Sequence, residues 1–511
     1  MSEASKNKKE KKMKEVLSVE NMRKSDEYTI KNGIPSRELM YRAALGIFKS
    51  IPFDKISSPD ILIACGTGNN AGDGYALALI LKENGHRVRL LLVENRFSPD
   101  GKYYFDKCLQ NGIEYTLYNE KTELFGNVII DCILGTGFKG KPKKEYREII
   151  EKINSSGAYV ISADINSGLN GDNGLGNASV KSDLTVSIGS YKSGHFLNMA
   201  KDKIGALVNQ DIGITPQDLP YYLFESDDAK IILPKRDNFS HKGTYGYITL
   251  IGGSYEYSGA IKLANISSSA MRAGAGVVKI ATPKSIGNAV MPYLLESTLF
   301  PLSESDGAIR LVPTEIDDAL KGVKAVGIGM GMGQKGDNKE LIAHILNNYS
   351  LPVLLDADAL NSLAQMDKSV LKNTKCKVVL TPHLKELERL MGEPLEKIQA
   401  SPISYAKEYA KEMGVVLLLK GTATIVTDGE NVRIINTGCA GMATAGSGDV
   451  LSGIITALLG QRPNDVLDMT CLGAYINGLA GEIAEEDTGS ISMVASDTAC
   501  KIPLAINKIL K

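Results

Sequence analysis

The stretch Ile61-Leu-Ile-Ala-Cys-Gly-Thr-Gly-Asn-Asn-Ala-Gly-Asp-Gly74 decides the fold class of the first part of this chain. It begins with a continuous apolar run, which is typical of a parallel strand covered on both faces. The glycines that follow permit a tight turn, and a helical pattern over Tyr75–Asn84 comes directly after it. A strand that enters a helix through a glycine-rich turn indicates an α/β sandwich with a ligand site at that turn.

The same alternation of apolar runs and helical patterns continues along the chain. A helical segment over Ser18–Ser50 precedes the first strand, and Glu145–Ser155 is a further predicted helix. A proline-containing, acidic stretch near Thr215–Asn238 interrupts the pattern, and a second α/β series follows it. The predicted strands are Ile61–Cys65, Val88–Val93, Val128–Leu134, Tyr159–Ile165 and Leu184–Ile188 in the first series, and Tyr247–Ile251, Val277–Ala281, Ala325–Ile328, Pro352–Asp356, Val378–Thr381 and Val415–Leu419 in the second.

The second series ends in a predicted hairpin and two predicted helices. Ala423–Val426 and Arg433–Ile435 flank the turn signal Asp428-Gly429, which favours an antiparallel pair. The helices are expected over Asp449–Leu459 and Asp465–Glu485. We therefore expect a disordered basic tail over 1–15, a first domain over 16–214, a linker over 215–238 and a second domain over 239–511.

Composition excludes several classes of function. The 511 residues carry 58 basic and 59 acidic side chains, so no global positive field attracts nucleic acid. No apolar run approaches the roughly 18 residues of a membrane span, and the lysine-rich N-terminus lacks the apolar core of a secretory signal. The seven cysteines are scattered without a CxxC motif, which predicts free thiols in a reducing cytoplasm.

The first chemical motif is the glycine-rich turn itself. It misses the dinucleotide fingerprint G-x-G-x-x-G, because alanine stands at position 71 and the glycine at 72, so an ordinary Rossmann dehydrogenase is disfavoured. Asn70, together with Asp131 and Ser167 at two later strand ends, offers oxygen ligands for a monovalent cation. Each of these residues alone also fits a turn or helix cap. Lys192 follows another strand end and is either part of the site or a solvated loop lysine.

The second motif, Ala440-Gly-Met-Ala-Thr-Ala-Gly-Ser-Gly-Asp-Val-Leu-Ser-Gly453, is the strongest signal in the chain. The backbone N–H groups of Gly446–Gly448 predict an anion cradle before a helix that begins at Asp449. A carboxylate beside a phosphate site suits the removal of a hydroxyl proton as that oxygen attacks phosphorus. The alternative is that Asp449 merely caps the helix.

Further polar or glycine-rich strand ends surround this motif. Lys420–Thr424 could line the phosphates of a nucleotide, and His383 ends another predicted strand. Asp356 and Asp358 offer carboxylates that could face magnesium. The remaining glycine-rich segments are Gly327–Gly333, His241–Gly246 and Gly252–Ala260.

The motifs resemble, in order along residues 16–505, those of the bifunctional NAD(P)H-hydrate repair enzymes. That family fuses an NAD(P)HX epimerase domain to an ADP/ATP-dependent NAD(P)HX dehydratase domain, where NAD(P)HX is the hydrated cofactor. Its loop GNNGGDG is similar to Gly68–Gly74, and its DxPSG to Asp164–Gly168. HKGxxG occurs at His241–Gly246, GMATxGxGDVLxG occurs at Gly441–Gly453, and TPHxGE is similar to Thr381–Glu386.

The sequence departs from the family pattern at four places. Ala71 replaces a glycine and is expected to narrow the loop by one methyl group, and Asn166 replaces a proline and is expected to loosen its turn. Lys385 replaces a glycine and is expected to alter the local backbone, whereas Ser447 replaces threonine and keeps the hydroxyl.

The resemblance implies an α/β protein with an N-terminal Rossmann-like three-layer sandwich over 16–214 and a C-terminal ribokinase-like α/β domain over 239–511. It implies that potassium is bound by Asn70, Asp131 and Ser167. The implied ligand-binding residues are Asn69, Asn70, Ala71, Gly72, Asp73, Gly135, Thr136, Gly137, Phe138, Lys139, Gly140, Lys141 and Asp164 for the hydrate in the first domain, Ala260, Gly331, His383 and Asp449 for the hydrate in the second, and Lys420, Gly421, Thr422, Ala423, Thr424 and Gly448 for the adenine nucleotide.

The implied activity is epimerisation of R- and S-NAD(P)HX, followed by dehydration of the S form to NAD(P)H at the expense of ADP, which gives AMP and phosphate. We expect Asp449 to act as the base of the dehydratase, and Asp164 and Lys192 to transfer protons in the epimerase. The expected cofactors are K⁺ in the first domain and Mg²⁺ with ADP or ATP in the second. The expected partners are NADHX, NADPHX and the nucleotide, without nucleic acid or membrane, in a cytoplasmic homo-oligomer.

Two alternatives stay open at this stage. A small-molecule kinase, such as a vitamin-precursor kinase, would share the Gly-x-Gly-Asp site but would not need the Asn-Asn-x-Gly-Asp-Gly domain. A nucleotide-sensing or scaffold protein would bind the same ligands without turnover, which the presence of Asp449 disfavours.

Overall fold

The computed structural model describes residues 13–218, 221–265 and 270–511. Most of the tail expected over 1–15 therefore lies outside the described residues. The described chain forms two compact units, which we call the first unit, Glu15–Tyr221, and the second unit, Tyr222–Lys511 together with residues 13 and 14. The division between them falls inside the stretch expected to be a linker, where a short strand and a helix are also found.

The first unit is built on alternating strands and helices. Its elements are β1 (Lys14–Leu17), α1 (Val19–Lys31), α2 (Ser36–Ser50), β2 (Asp60–Cys65), α3 (Asn69–Glu83), β3 (Arg87–Leu92), α4 (Pro99–Gln110), β4 (Tyr115–Leu117), β5 (Val128–Cys132), α5 (Lys144–Asn154), β6 (Tyr159–Ala163), β7 (Ser182–Ile188), β8 (Tyr191–Lys192), α6 (Ala200–Lys203) and β9 (Ile204–Gln210).

The seven-stranded sheet of this unit has the order β4-β3-β2-β5-β6-β7-β9, and all its strands are parallel. Alternate residues of β2 pack into two different layers. Ile61 and Ile63 lie in the apolar cluster of α2, α3 and α4, whereas Leu62 packs against α5. This arrangement confirms the three-layer sandwich, and it explains why the strands read as continuous apolar runs.

The sequence-based strands of the first unit are confirmed with their ends shifted by one or two residues. The helical segment expected over Ser18–Ser50 is two helices, because Pro35 restricts the residue before it and Gly33 adopts a positive φ of 112°. The edge strands β4 and β9 were not predicted. Neither has the continuous apolar pattern of a buried strand. All three residues of β4 are exposed, and all but the first residue of β9 are exposed or half-buried.

The second unit repeats the α/β principle with a longer sheet. Its elements are β10 (Tyr221–Leu223), α7 (Ser226–Ile232), β11 (Tyr247–Ile251), α8 (Ser258–Asn265), β12 (Val277–Pro283), α9 (Gly287–Val290), β13 (Thr298–Leu302), β14 (Glu304–Ser305), β15 (Ala308–Ile309), α10 (Pro313–Leu320), β16 (Ala325–Ile328), α11 (Asn338–Asn348), β17 (Pro352–Leu355), α12 (Asp358–Leu363), α13 (Ser369–Lys372), β18 (Lys377–Leu380), α14 (Leu384–Met391), α15 (Leu395–Ala400), α16 (Pro402–Met413), β19 (Val416–Leu419), β20 (Thr424–Thr427), β21 (Val432–Ile435), α17 (Ser447–Gln461), α18 (Val466–Thr488) and α19 (Ala495–Leu510).

The strand order in the second unit is β13-β12-β11-β16-β17-β18-β19-β20-β21-β10. The pairs β19·β20 and β20·β21 are antiparallel, and the other neighbours are parallel. The hairpin predicted at Asp428-Gly429 is confirmed, with Thr427 opposite Val432 and a positive φ of 92° at Gly429. The sheet thus brings the ends of β17, β18 and β19 side by side.

One helix boundary and the number of C-terminal helices differ from expectation. Helix α17 begins at Ser447, so Asp449 lies within its first turn and does not start it. The unit ends in three helices and not two, since α19 follows α18. Pro503 inside α19 disfavours a helix by sequence rules, which explains why this helix was not predicted.

Candidate active sites of the two units

A cavity of about 580 Å³ opens at the carboxyl ends of β2, β5 and β6 in the first unit. Its walls include the start of α3 and the loop after β5, both of which were predicted to bind a ligand. The predicted residues that line it are Asn69, Asn70, Asp73, Gly135, Thr136, Gly137, Phe138, Asp164 and Lys192. A ligand site at the carboxyl edge of a parallel sheet is the expected position for this fold class.

An ion pair between Asp164 and Lys192 forms the base of this cavity. The Lys192 side chain is 1% exposed, and its Nζ also donates to the carbonyl oxygen of Ile188 at 2.7 Å. Asp164 has a positive φ of 63°, a conformation that is uncommon for a non-glycine residue. The two residues that the sequence proposed as proton carriers are therefore in direct contact, and Lys192 is not a solvated loop lysine.

His195, which sequence reasoning missed, holds Asp164 in place. Its Nδ1 accepts from the Lys192 backbone N–H at 3.0 Å, so its Nε2 carries the hydrogen and donates to the Asp164 carbonyl oxygen at 2.7 Å. Burial, aided by the nearby Lys192 ammonium, lowers the pKa of His195 to about 4. The ring is therefore neutral at physiological pH and acts as a fixed hydrogen-bond donor.

Two further carboxyl groups, Asp73 and Asp26, line the same cavity. Burial, opposed by the Lys192 ammonium and aided by the Asp164 carboxylate, raises the pKa of Asp26 to about 6. Burial and the charges of Asp164 and Asp26 raise the pKa of Asp73 well above its ordinary value. Asp73 was predicted as a binding residue, but Asp26 was missed. The available signal was its place among Met22 and Ile30, at helical spacing on one face of α1.

The predicted potassium ligands lie close together beside the cavity. The buried Asp131 carboxylate accepts from the Ser167 hydroxyl at 2.5 Å and from the Ser167 backbone N–H at 2.8 Å. Ser167 Oγ in turn accepts from the Leu134 backbone N–H at 2.7 Å, and the Leu134 carbonyl oxygen accepts from Asn70 Nδ2 at 3.2 Å. The other amide atom of Asn70, Oδ1, is buried without a hydrogen-bond partner. Burial raises the pKa of Asp131 above its ordinary value.

Five of the predicted binding residues are not in the cavity wall as the structure describes it: Ala71, Gly72, Lys139, Gly140 and Lys141. Ala71 lies in the apolar core, so its methyl group does not narrow the ligand loop as expected. Gly72 faces the core as well, since a Cβ there would lie 2.6 Å from the sulfur of Met40.

Asn166 replaces the family proline without loosening the turn, contrary to expectation. Its buried amide nitrogen donates to the carbonyl oxygens of Val180 at 3.0 Å and Lys203 at 2.9 Å. Its Oδ1 accepts from the Thr185 hydroxyl at 2.5 Å. Buried side-chain hydrogen bonds thus replace the rigidity of a proline ring.

The second unit places the mouth of α17 beside the ends of β17 and β19. Gly446 precedes the helix with a positive φ of 92°, and the helical hydrogen bonds begin with Val450 N donating to Gly446 O at 3.1 Å. The N–H groups of Gly448 and Asp449 therefore have no acceptor within the helix. A Cβ at Gly448 would lie 3.5 Å from Asp356 Oδ2 and 3.6 Å from Lys420 Nζ, so this mouth is close to both side chains.

The Asp449 carboxyl forms no hydrogen bond or ion pair with the described residues. Burial is the main cause that raises its pKa, to about 7, and the negative charge of Asp356 contributes next. Lys420 opposes this effect, and Asp358 adds to it. A half-buried, unpaired carboxyl beside open backbone amides suits a general base next to a phosphate.

Lys420 belongs to a charged network at this mouth. Its Nζ lies 3.0 Å from Asp356 Oδ1 and 3.7 Å from Glu386 Oε2. Against burial, which lowers it, these two carboxylates hold the pKa of Lys420 above its ordinary value. The buried Asp356 also accepts from the hydroxyls of Thr381 and Ser452, both at 2.8 Å. Protein donors thus reach both oxygens of Asp356.

His383 is the N-cap of α14. Its Nδ1 accepts from the backbone N–H groups of Lys385 at 3.1 Å and Glu386 at 3.2 Å. Lys385 lies in the first turn of the helix with ordinary helical backbone, so replacing the family glycine does not alter the local backbone as expected. Burial lowers the pKa of His383.

Gly331 and Ala260, both predicted to contact the hydrate, are neighbours. Gly331 has a positive φ of 67°, and a Cβ there would lie 2.8 Å from the Cβ of Ala260. This position therefore requires glycine for both conformation and space. Nearby, Asp358 Oδ2 accepts from the Gly333 N–H at 2.8 Å, and Ala357 before it has a positive φ of 47°.

Within residues 13–218, 221–265 and 270–511, no helix is long and apolar enough to cross a membrane. The same residues contain no cluster of three or more His, Cys, Asp or Glu side chains arranged for a metal ion. All seven cysteines are free, and five are buried: Cys65, Cys108, Cys132, Cys376 and Cys471.

Comparison with known proteins assigns both units. A family model described as NAD(P)H-hydrate dehydratase matches residues 248–504, and one described as YjeF-related protein N-terminus matches residues 36–194. The crystal structure of an ADP/ATP-dependent NAD(P)H-hydrate dehydratase from Bacillus subtilis, co-crystallised with ATP/Mg²⁺, is similar with a TM-score of 0.50 and 29% identity. It covers 56% of this chain and 98% of its own.

Relatives of full length are similar across both units. The bifunctional NAD(P)H-hydrate repair enzyme Nnr of Moorella thermoacetica is 33% identical over 93% of this chain and 93% of its own length. The protein of the same name from Coxiella burnetii is 30% identical over 95% of this chain and 98% of its own. Together with the two family models, these relatives establish that the chain belongs to the family of bifunctional NAD(P)H-hydrate repair enzymes.

Proposed function

We propose that this protein repairs hydrated nicotinamide cofactors in two steps. The first unit, over the domain 16–214, interconverts the R and S epimers of NADHX and NADPHX. The second unit, over the domain 239–511, dehydrates the S epimer to NAD(P)H at the expense of ADP, which gives AMP and phosphate. The observation that carries the proposal is the unpaired, half-buried Asp449 carboxyl beside the open amides at the mouth of α17.

The chemical difficulty in dehydration is that hydroxide is a poor leaving group. Asp449 removes the proton of the C6 hydroxyl, and that oxygen attacks the terminal phosphorus of ADP and displaces AMP. The phosphate ester then leaves with the C6–O electron pair, helped by the ring nitrogen, and loss of a proton from C5 forms the C5–C6 double bond. The products are NAD(P)H, AMP and phosphate. A pKa of about 7 makes Asp449 an effective base near neutral pH.

The surroundings of Asp449 have distinct tasks in this reaction. The N–H groups of Gly448 and Asp449 can donate to phosphoryl oxygens as negative charge builds on them, an effect often worth several kcal/mol. The Lys420 ammonium, fixed by Asp356, supplies a positive charge beside the same mouth. Ala260, Gly331 and His383 form the proposed surface for the hydrate, and residues 420–424 form that for the nucleotide.

Magnesium fits this site through its charge. The carboxyls of Asp356, Glu386 and Asp449 outnumber the Lys420 ammonium at the mouth of α17, which favours a divalent cation that arrives with phosphates. The Bacillus subtilis dehydratase was co-crystallised with ATP/Mg²⁺. Bound Mg²⁺ would neutralise the charge on the nucleotide phosphates, with the nearby Asp358 as the carboxylate that would hold it and Asp449 left free to act as the base.

Potassium fits the first unit for a different reason. The buried Asn70 Oδ1 has no hydrogen-bond partner among the described residues. The Asp131 carboxylate and the Ser167 hydroxyl are hydrogen-bonded to each other, and both Ser167 and Asn70 bond to the backbone of Leu134. These are hard oxygen donors, as a monovalent cation requires. The cation would supply a positive charge and fix the Asn70 amide at the start of α3. The Asp164–Lys192 pair serves proton transfer in the epimerisation.

Mixed-epimer NADHX tests this function directly. Incubation with ADP or ATP should restore the absorbance of NADH, with formation of AMP or ADP respectively, and without nucleotide the epimer ratio should relax to equilibrium. A phosphorylated product that persists would indicate a kinase, and nucleotide binding without turnover would indicate a sensor.

We further propose a cytoplasmic location, which free cysteines favour, and a homo-oligomer, for which the mass in solution is the measurement.

A further inference from the structure

Helix α1 presents one face to the cavity of the first unit. Met22, Asp26 and Ile30, spaced by four residues, all line that cavity. The adjacent face is buried, and Ser25 Oγ accepts from the Gln217 N–H at 2.9 Å while Thr29 Oγ1 accepts from the Thr215 N–H at 3.1 Å. These bonds fix the rotation of α1, so the Asp26 carboxyl is held toward the cavity.

The carboxyl group of Asp26 has no direct polar contact within the described part of the chain. Among the residues that the structure describes, none forms a hydrogen bond or an ion pair with its carboxyl group, although it is half-buried. The other acidic residues of α1 behave differently, because Glu20 pairs with Lys24 at 3.2 Å and Glu27 approaches Arg23 at 3.9 Å. The Asp26 carboxyl thus lines the cavity without a direct partner among the described residues, although the Lys192 ammonium attracts it.

Asp164, by contrast, has one carboxyl oxygen that already accepts hydrogen bonds from the protein. Its Oδ1 accepts from Lys192 Nζ and from the Ile188 N–H, and its carbonyl oxygen accepts from His195. It is therefore an oriented carboxylate whose Oδ2 is the atom available to accept a proton. The cavity thus holds a carboxyl group fixed by Lys192 at the end of β6 and, on α1, a carboxyl group without hydrogen bonds to the described residues.

Epimerisation at C6 of the hydrate needs both kinds of group. The C6–O bond breaks as the ring nitrogen lone pair forms a C6–N double bond, and the leaving hydroxyl takes a proton and departs as water. Water then adds to the opposite face of C6, gives up one proton, and the electron pair returns to nitrogen. One proton is donated and one is accepted, and no oxidant or reductant is required.

We propose that Asp26 is a catalytic residue of the epimerisation, which donates the proton to the leaving hydroxyl while Asp164 accepts the proton of the incoming water. In the reverse direction the two groups exchange roles, and exchange with solvent resets the pair. This inference rests on the proposed epimerase function of the first unit and extends it to a residue on a different element.

The charges that face Asp26 support this role. Lys192 and Asp164 lie on the sheet side, Asp73 faces it from α3, and Glu27 is its neighbour on α1. Burial outweighs the attraction of Lys192 and raises the pKa of Asp26 to about 6. Both protonation states are thus populated near neutral pH, as a group that alternately donates and accepts requires.

The test uses the full chain and R-NADHX without nucleotide, with the spontaneous epimerisation rate subtracted. Asp26→Asn should slow formation of the S epimer by roughly 100-fold or more, the usual contribution of a general acid. It should also abolish the decline of the wild-type rate as pH rises through about 6. ADP-dependent dehydration of S-NADHX by the same preparation should be unchanged.

Glu20→Gln is the matched control, because it removes an exposed carboxyl from the same helix, and its epimerisation rate should equal that of the wild type. Asp26→Glu keeps the carboxyl and should restore part of the rate together with a pH-dependent decline, which a loss of fold would not do. An epimerisation rate of Asp26→Asn within about twofold of the wild-type rate would overturn the inference. The inference would also be overturned if Asp26→Glu were as inactive as Asp26→Asn and its rate did not depend on pH. Wild-type protein that does not epimerise at all would instead overturn the epimerase function on which the inference rests.

Discussion

Asp449 and Asp356 face each other across the mouth of α17 with unequal hydrogen bonding. Asp356 accepts from Lys420, Thr381 and Ser452, whereas Asp449 has no partner among the described residues. Burial and the Asp356 charge raise the pKa of Asp449 to about 7. The hydrogen-bonded Asp356 carboxylate thus helps to keep Asp449 basic.

Removing the base should separate the two activities. Asp449→Asn should lower ADP-dependent dehydration of S-NADHX by roughly 10²- to 10⁴-fold, since general base catalysis is lost. Epimerisation of R-NADHX should persist, because it belongs to the other unit. Asp465→Asn, on an exposed side chain before α18, is the control and should retain both rates. Dehydration near the wild-type rate in Asp449→Asn would contradict the assignment.

The pH dependence of dehydration should report the titration of Asp449. The rate should rise as pH increases through about 7, because the base acts when deprotonated. Asp358→Asn removes a negative charge that raises the pKa of Asp449, so the rising limb should move to lower pH. Initial rates in a series of buffers check this. If the dehydration rate of Asp358→Asn rises over the same pH range as that of the wild type, a group other than Asp449 is titrating.

Breaking the Lys420–Asp356 pair should destabilise the second unit. Lys420→Met leaves the buried Asp356 without its cation, which should cost about 2–4 kcal/mol, less than a fully buried pair because the Lys420 side chain is 24% exposed. Thermal unfolding should show a lower midpoint for this unit. Adding Asp356→Asn should recover part of the loss, and a double variant less stable than the sum of the single losses would contradict a direct pairing.

Because of His195, the free energy of unfolding of the first unit should decrease as the pH falls. Its pKa falls from the ordinary 6.5 to about 4 on folding, so the unfolded chain takes up a proton first as pH decreases. The neutral ring contributes its full stability above pH 6.5, and about 3 kcal/mol is lost as pH falls toward 4. His195→Gln should remove this slope from unfolding curves measured between those pH values, while His86→Gln should keep it.

Potassium should stabilise the first unit through Asn70. The thermal midpoint of the wild type should be higher in potassium chloride than in choline chloride of equal ionic strength, by mass action on the folded state. Asn70→Ala removes the buried, unpartnered Oδ1 and should abolish this difference. Equal sensitivity of the variant and the wild type to potassium would place the cation elsewhere.

The strands and the glycine-rich helix mouths were predictable because their signals are local. Continuous apolar runs such as Ile61–Cys65 became parallel strands, and the turn before α3 and the mouth of α17 became the two sites. The edge strand β9 and helix α19 were not predictable, since β9 is half-exposed and α19 contains Pro503.

The sequence by itself determined the parallel α/β units, the family and the positions of Asp164, Lys192 and Asp449, because short motifs specify backbone turns and reactive groups. Only the tertiary structure decided their states. It paired Lys192 with Asp164, turned Lys420 toward Asp356 across 64 positions of sequence, and brought Asp26 to the cavity. Burial and the charges of distant segments set whether a carboxyl is paired, and these arise only when the chain has folded.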